Sequence, residues 1–343
     1  MNWPSSVSSS LVQQSLRLAI FHESWDAYGE NFEQKDLLTE LPLCMNVREL
    51  ITLHGEPEPF HHECPLPNKP CSISIPSLTK AHCSSSFGIT SLLDAARLFH
   101  VLAHAPLLDD LQINCTNFRT DRLPEVFPKV ALKRYAFHHW GYGDGMEHSD
   151  SSGWSQPLRS SIASLQSLEL TIRNADDLIE CDLADLLQRG ALFHRLETLK
   201  ISIAWDQTYY AFVPLLVLCP RVKDLTISVD AYHWQHRRLP PFGLLIHELP
   251  NPTALKHLTI GLRTWNDYYH VMEPEQREKE YFDSYISTMI RYLKGWRLRL
   301  FTILVDEEVM ETFSFPRVAE ECHSGRIIFA MKGSSFRLRG YVY

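Results

Sequence analysis

The chain has 343 residues, with 33 Lys or Arg against 41 Asp or Glu, so its formal net charge is -8. This balance excludes the basic footprint that general nucleic-acid binding requires, and we expect no nucleic-acid partner. No apolar run approaches the roughly 18 residues of a membrane-spanning helix, and residues 1–6 lack the basic and apolar regions of a signal peptide, so we expect no membrane association.

The apolar fraction of 45% and the charged fraction of 22% are typical of an ordinary globular protein. The eight cysteines are scattered along the chain without a disulfide-like framework. Reduced, buried thiols are the usual state of such cysteines, and this predicts a reducing compartment, cytoplasmic or nuclear.

The N-terminal part of the chain contains three weak strand patterns. Residues 1–14 include a Ser-rich stretch that we expect to be frayed. The first strand is predicted around Leu18 and Ile20, the second over Val47–Leu53, and a degraded third over Ile75–Cys83. A Pro- and His-rich loop over 56–70 separates the last two, because so many prolines preclude a helix.

One short pattern recurs through the middle of the chain. It has three apolar residues, with two other residues between the first and the second and one between the second and the third. We call this the strand phrase, and Leu196-x-x-Leu199-x-Ile201 is an example. The alternation at its end places apolar side chains on one strand face and polar side chains on the other. Clear copies begin at Leu108, Leu132, Leu165, Leu196, Val222 and Leu255.

The copies begin 24, 33, 31, 26 and 33 residues apart. A period of this length with one strand per unit is typical of leucine-rich repeats, whose units must stack to bury their apolar faces. We therefore predict an α/β fold: an irregular right-handed leucine-rich-repeat solenoid, or horseshoe. The parallel sheet of this solenoid would line its concave face, and the helices and irregular returns would lie outside. The solenoid would occupy residues 1–343 as one domain.

The segments between the phrases contain predicted helices. Thr90–His104 carries a helical apolar stripe that ends before Pro106, and Tyr210–Cys219 ends in the same way before Pro220. Asp176–Gln188 forms a third helix, which Gly190 ends.

Beyond Ile260 the pattern changes. A longer, charged helix is predicted over Glu273–Lys294, with a largely solvated face, and strands are predicted over Leu298–Val305 and Arg326–Met331. Terminal repeats are often atypical because they cover the exposed end of the core, so 266–343 is predicted to be the C-terminal cap.

Two phrases carry a family resemblance. Ala105-Pro106-x-Leu108-x-x-Leu111-x-Ile113 and Cys219-Pro220-x-Val222-x-x-Leu225-x-Ile227 resemble the irregular leucine-rich region of fungal F-box proteins. The resemblance covers about residues 90–265. It implies repeats that hold a protein to be ubiquitinated, while an F-box helix bundle docks to the adaptor of a cullin-type ubiquitin ligase.

We identify no F-box, since the only candidate start, Leu41-Pro42-Leu43, leads directly into the predicted Val47 strand. The leading hypothesis is therefore a non-catalytic protein-interaction scaffold with a protein partner and no cofactor. The alternative is a ligase substrate receptor whose F-box lies upstream of this sequence.

Two groups of residues are candidates for binding that partner. The first is the polar side of the predicted sheet, where repeat proteins commonly bind; solvation of an outward strand face is the simpler explanation at any single residue. Its members are Asp110, Gln112, Asn114, Arg134, His138, Glu169, Thr198, Lys200, Asp224 and His257.

The second group is aromatic. Five tryptophans follow strand phrases at offsets of 8 to 12 residues, so they would share one rim of the solenoid: Trp25, Trp140, Trp205, Trp234 and Trp265. Tryptophan is common in binding hot spots, but each of these side chains could instead fold back to plug the core.

Metal and catalytic sites have weaker support. His61-His62-Glu63-Cys64 with Cys71 could supply zinc ligands, but the spacing of the two cysteines is not that of a standard zinc finger. No sequence motif of a nucleophile elbow, phosphate loop or metalloprotease is present. We predict no enzymatic activity; a metal-dependent enzyme using the His-rich loops is the less favoured class.

Overall fold

The computed structural model describes the strands, the segments that lead into them and parts of the returns. The described residues are 17–22, 48–54, 77–85, 92–94, 105–115, 117–119, 130–139, 155–172, 177–203, 212–230, 251–263, 298–306 and 327–332, with 280, 283–284, 287–288 and 291. The chain divides into two compact units, Met1–Leu165 and Gln166–Tyr343, which are described separately below as unit 1 and unit 2.

Unit 1 is built around five parallel strands. Its described elements are β1 (Arg17–His22), β2 (Glu49–His54), β3 (Lys80–Ser85), β4 (Leu92–Asp94), β5 (Asp110–Cys115), β6 (Asn117–Arg119), β7 (Arg134–His139) and the helix α1 (Gln156–Ser161). Strands β1, β2, β3, β5 and β7 lie side by side in that order, and every described pair is parallel. The short strands β4 and β6 pair with each other.

Unit 2 repeats this plan with six parallel strands. Its described elements are β8 (Ser167–Ile172), α2 (Asp177–Gln188), β9 (Thr198–Ile203), α3 (Val213–Val217), β10 (Asp224–Asp230), a 3-10 turn (Pro252–Ala254), β11 (His257–Arg263), β12 (Leu300–Asp306) and β13 (Ile327–Lys332). The strands follow one another in chain order, all parallel. The predicted α/β class with a parallel sheet is therefore confirmed.

The apolar residues of the strand phrase form the core. Its three apolar side chains are buried in all six clear copies, and none is more than 3% exposed. The last two lie in register on neighbouring strands, so that Leu199 is aligned with Leu168 and Leu225, and Ile201 with Leu170 and Ile227. Burial of each such side chain contributes about 1.5–3 kcal/mol, which explains why the phrase sets the register.

A shared hydrogen-bond pattern precedes the strands. The carbonyl oxygen of the residue before one strand accepts hydrogen bonds from two consecutive N–H groups of the next, as when Glu197 accepts from Lys223 and Asp224. We call the residues just before the strands the strand-start residues. They are Arg48, Thr79, Asp109 and Lys133 in unit 1, and Gln166, Glu197, Lys223, Lys256 and Arg299 in unit 2. The doubled bonds hold each set in a row.

The helix α2 matches its prediction almost residue for residue. Gly190 follows it with φ of 66°, and the backbone N–H groups of Gly190 and Ala191 donate to the carbonyls of Leu187 and Leu186. These two hydrogen bonds are typical of a helix C-terminus at which one residue has a left-handed backbone conformation, and glycine adopts that conformation without strain. Of the predicted helix over Tyr210–Cys219, Val213–Val217 is helical and is called α3; residues 210–211 lie outside the described set.

The prediction of a helix over Thr90–His104 is wrong at its start. Leu92–Asp94 forms the strand β4, paired with Asn117–Arg119, and residues 95–104 lie outside the described set. A short apolar run fits a strand or a helix equally well, and pairing with β6 decides between them here. The helix α1 was not predicted, because six residues beginning Gln156-Pro157 carry too little periodicity.

In the C-terminal part, the two predicted strands are confirmed as β12 and β13. Helical residues at 280, 283–284, 287–288 and 291 agree with the predicted helix. One of its sides is buried, however, because Asp283 and Ser287 are only 3% and 2% exposed. The capping role of 266–343 stays a prediction, and so does a single solenoid over 1–343; residues 1–14 and the loop over 56–70 lie outside the described residues.

Candidate interaction surface

The ten polar residues predicted to face a partner all lie on the strands, eight of them between buried residues of the phrase and two, Asn114 and His138, directly after its last buried residue. We call this side of the strands the polar face. Each of its predicted members is half-buried or exposed: Asp110, Gln112, Asn114, Arg134 and His138 in unit 1, and Glu169, Thr198, Lys200, Asp224 and His257 in unit 2. They are thus placed where a partner could reach them.

Strand register brings several of them together. In unit 1, Asp110 is aligned with Arg134 and Asn114 with His138. In unit 2, Thr198, Asp224 and His257 form one row across three strands, and Glu169 is aligned with Lys200. The predicted residues therefore form small clusters within each unit.

The charged members of the polar face largely neutralise one another. Arg134 Nη2 lies 2.6 Å from Asp110 Oδ2, and Lys200 Nζ lies 3.0 Å from Glu169 Oε2. His257 Nδ1 contacts Asp224 Oδ1. Exposed pairs of this kind stabilise a fold by about 0–1 kcal/mol, so a partner could rearrange them at little cost.

A row of threonines adjoins the Lys200–Glu169 pair. Thr226, Thr259 and Thr302 continue that row on β10, β11 and β12, and each is half-buried. Each hydroxyl can donate and accept a hydrogen bond. Sequence reasoning missed these residues, although a threonine between the last two apolar residues of the phrases that begin at Val222 and Leu255 was the available signal.

Toward the C-terminal ends of the unit 2 strands, the polar face is buried. The next outward row contains Thr171, Ser202 and Ser228, which are only 3%, 7% and 2% exposed. The row continues at Gly261, where a Cβ atom would lie 2.6 Å from Ser228 Oγ. The accessible part of the face in unit 2 is therefore the first two outward rows, which contain Thr198 and Lys200.

His82 is a further feature of the polar face of unit 1. It is half-buried and aligned with Gln112, and its Nε2 is buried without a hydrogen-bond partner within the described part of the chain. Burial lowers the pKa of this histidine, while the negative charges of Asp110 and Glu49 act in the opposite direction. The ring is therefore neutral at physiological pH.

The five predicted rim aromatics, Trp25, Trp140, Trp205, Trp234 and Trp265, lie outside the described residues, as does the His- and Cys-containing segment 61–71. Within the described residues, no three His, Cys, Asp or Glu side chains are grouped as a metal site would require. None of the helices in that part of the chain is both long and apolar enough to span a bilayer.

Comparison with known proteins adds no assignment: no model of a protein family matches the chain, and no curated protein sequence matches it either.

Proposed function

We propose that this protein is a non-catalytic protein-interaction scaffold, a leucine-rich-repeat solenoid that binds a protein partner through its polar face. The observation that carries the proposal is the accessible pair of rows in unit 2, which Thr198 and Lys200 represent. These rows present evenly spaced polar side chains on parallel strands above a fully buried apolar layer. The repeat spacing and the buried strand phrases support the leucine-rich-repeat assignment.

The proposed binding mode is hydrogen bonding and shape complementarity. The threonine hydroxyls of Thr226, Thr259 and Thr302 bond to backbone or side-chain groups of the partner, and the Lys200–Glu169 pair opens to contact a partner charge. No cofactor is needed for such contacts. The tryptophans that follow the strand phrases would supply apolar anchors at the rim, since aromatic residues commonly dominate binding energy.

The test requires a partner identified by proximity labelling and then purified. Lys200→Glu should weaken its binding by about tenfold, because the substitution removes a cation and repels Glu169 on the proposed surface. Arg189→Glu is the matched control, since Arg189 directly follows α2, pairs with Asp185 at 2.9 Å and is not on a strand, so the substitution should leave affinity unchanged. Equal affinities for the wild-type protein and both variants would refute the proposal.

The family resemblance supports one narrower version. The Ala105-Pro106 and Cys219-Pro220 phrases resemble the substrate-recognition repeats of F-box proteins, and Ala105 and Cys219 are buried at the entrances to β5 and β10. In this version the partner is a protein to be ubiquitinated. Recovery of a cullin-ligase adaptor with the chain would support it, and ubiquitination of the partner that does not depend on this chain would oppose it.

A further inference from the structure

The strand-start residues of unit 2 carry an excess of positive charge. Lys223, Lys256 and Arg299 stand directly before β10, β11 and β12, in a row fixed by the doubled backbone hydrogen bonds. Arg221 lies two residues before Lys223 and is exposed. We call these four residues the basic edge.

The cations of the basic edge are only partly neutralised. Lys223 donates to Glu197 Oε1 and forms an ion pair with it. Lys256 is half-buried and Arg299 is exposed, and neither has a carboxylate within ion-pairing distance among the described residues. Among the described residues, Glu197 is thus the carboxylate that forms an ion pair with a cation of the basic edge, and that cation is Lys223.

Three of the four cations, Lys223, Lys256 and Arg221, act on the carboxylate of Glu197. Its pKa is lowered first by the hydrogen bond from Lys223, and further by the positive charges of Lys256 and Arg221. Cations that stabilise one ionised carboxylate would stabilise others placed along the same row.

The equivalent row in unit 1 has a smaller excess, since its two cations and one carboxylate leave one net positive charge, whereas the three cations and one carboxylate of the unit 2 row leave two. It contains Arg48, Thr79, Asp109 and Lys133, and Lys133 Nζ lies 2.8 Å from Asp109 Oδ2. The same backbone arrangement thus carries a weakly basic row in unit 1 and a more basic row in unit 2, to which Arg221 adds a further cation. The larger excess is a property of the unit 2 side chains, not of the repeat itself.

We propose that the basic edge binds an extended, acidic segment of a partner protein. Neighbouring strands lie about 4.8 Å apart, so Lys223 and Arg299 start from backbone positions about 10 Å apart. Carboxylates on one side of an extended chain recur about every 7 Å, which long Lys and Arg side chains can match. The proposal is independent of the polar-face function, because different residues carry it.

A peptide fits this edge better than a nucleic acid does. Glu197 stands within the row and Asp224 directly follows Lys223, so a phosphate backbone with continuous charge would meet two carboxylates. A peptide can place its carboxylates next to the cations and its neutral residues next to Glu197.

The experiment uses the full chain and short synthetic peptides in which glutamates alternate with threonines. Fluorescence anisotropy should show binding that weakens as salt is raised, and no binding of peptides with glutamine in place of glutamate. Lys256→Gln combined with Arg299→Gln should weaken binding by about tenfold. Thermal melting checks that the double variant remains folded.

The matched control combines Arg48→Gln with Lys133→Gln, which removes two cations from the same strand-start positions of unit 1. It changes net charge equally and should leave peptide affinity within about twofold of the wild type. Equal losses in both double variants, or no binding of any glutamate peptide at millimolar concentration, would overturn the proposal. Tighter binding of a single-stranded oligonucleotide than of the peptides would overturn it in favour of a polyanion.

Discussion

Ser161 Oγ accepts a hydrogen bond from the backbone N–H of Leu132 at 3.0 Å. The same hydroxyl donates to the carbonyl of Val130 at 3.1 Å, so one buried side chain joins α1 to the segment that leads into β7. Ser161→Ala leaves both backbone groups without this partner in a buried site. We expect the free energy of unfolding to fall by about 1–3 kcal/mol, measured by urea denaturation.

The neighbouring serine is the control for this prediction. Ser160 is exposed and its hydroxyl donates to the carbonyl of Pro157 within α1, so Ser160→Ala should change the free energy of unfolding by less than about 0.5 kcal/mol. Equal effects of the two substitutions would show that the Ser161 bridge contributes nothing to stability.

The register of β11 gives a second prediction. Leu258 is fully buried, and Thr259 beside it lies on the polar face between Thr226 and Thr302. Leu258→Asp should lower the free energy of unfolding by about 4 kcal/mol or more, because it places a carboxylate in the apolar layer. Thr259→Asp should cost less than about 1 kcal/mol. Circular dichroism on thermal melting measures both, and a reversed order would show that the strand faces are exchanged.

Gly190 gives a third prediction, on backbone conformation. Its φ of 66° is strained for a residue with a Cβ atom, although no atom lies within 4 Å of the position that a Cβ would occupy. Gly190→Ala should therefore destabilise the protein by about 1 kcal/mol through the backbone alone. Gly190→Asn should cost less, since asparagine adopts this conformation more readily. A larger loss with asparagine than with alanine would point to crowding instead.

His82 should make the free energy of unfolding depend on pH. Burial lowers the pKa of His82 below the ordinary 6.5 in the folded protein. As the pH falls below 6.5, this histidine is therefore protonated more fully in the unfolded chain than in the folded one, and this favours unfolding. The free energy of unfolding should therefore decrease as the pH falls from 7.5 to 5. In His82→Gln the decrease should be smaller, as denaturant titrations at several pH values would show. An unchanged slope in the variant would mean that His82 titrates alike in both states.

Much of the fold could be predicted from the sequence, because the core depends on a local pattern. Alternating apolar residues determine which strand face is buried, and the phrases beginning at Leu108 and Leu255 form strands where the pattern places them. The helix α2 was equally clear, since Gly190 marks its end. Local periodicity and end signals were sufficient for these elements.

The remaining features depend on contacts between distant residues. Pairing of β4 with β6 overrode the helical pattern after Thr90, and no local signal reports such a pairing. Alternation also places Ser202 on the same strand face as Lys200, whereas Ser202 is only 7% exposed. The basic edge was missed because Lys223, Lys256 and Arg299 are far apart in sequence and become neighbours only through strand register.

The most direct measurement of the central claim is site-specific photo-crosslinking to the purified partner. A benzoylphenylalanine at Thr226 or Thr259 lies on the polar face, and the same residue at exposed Gln188 lies on α2. Binding through the polar face predicts crosslinked partner from both threonine positions and none from Gln188. Crosslinking from Gln188 alone would place the partner at α2 and not on the polar face, and would contradict the claim.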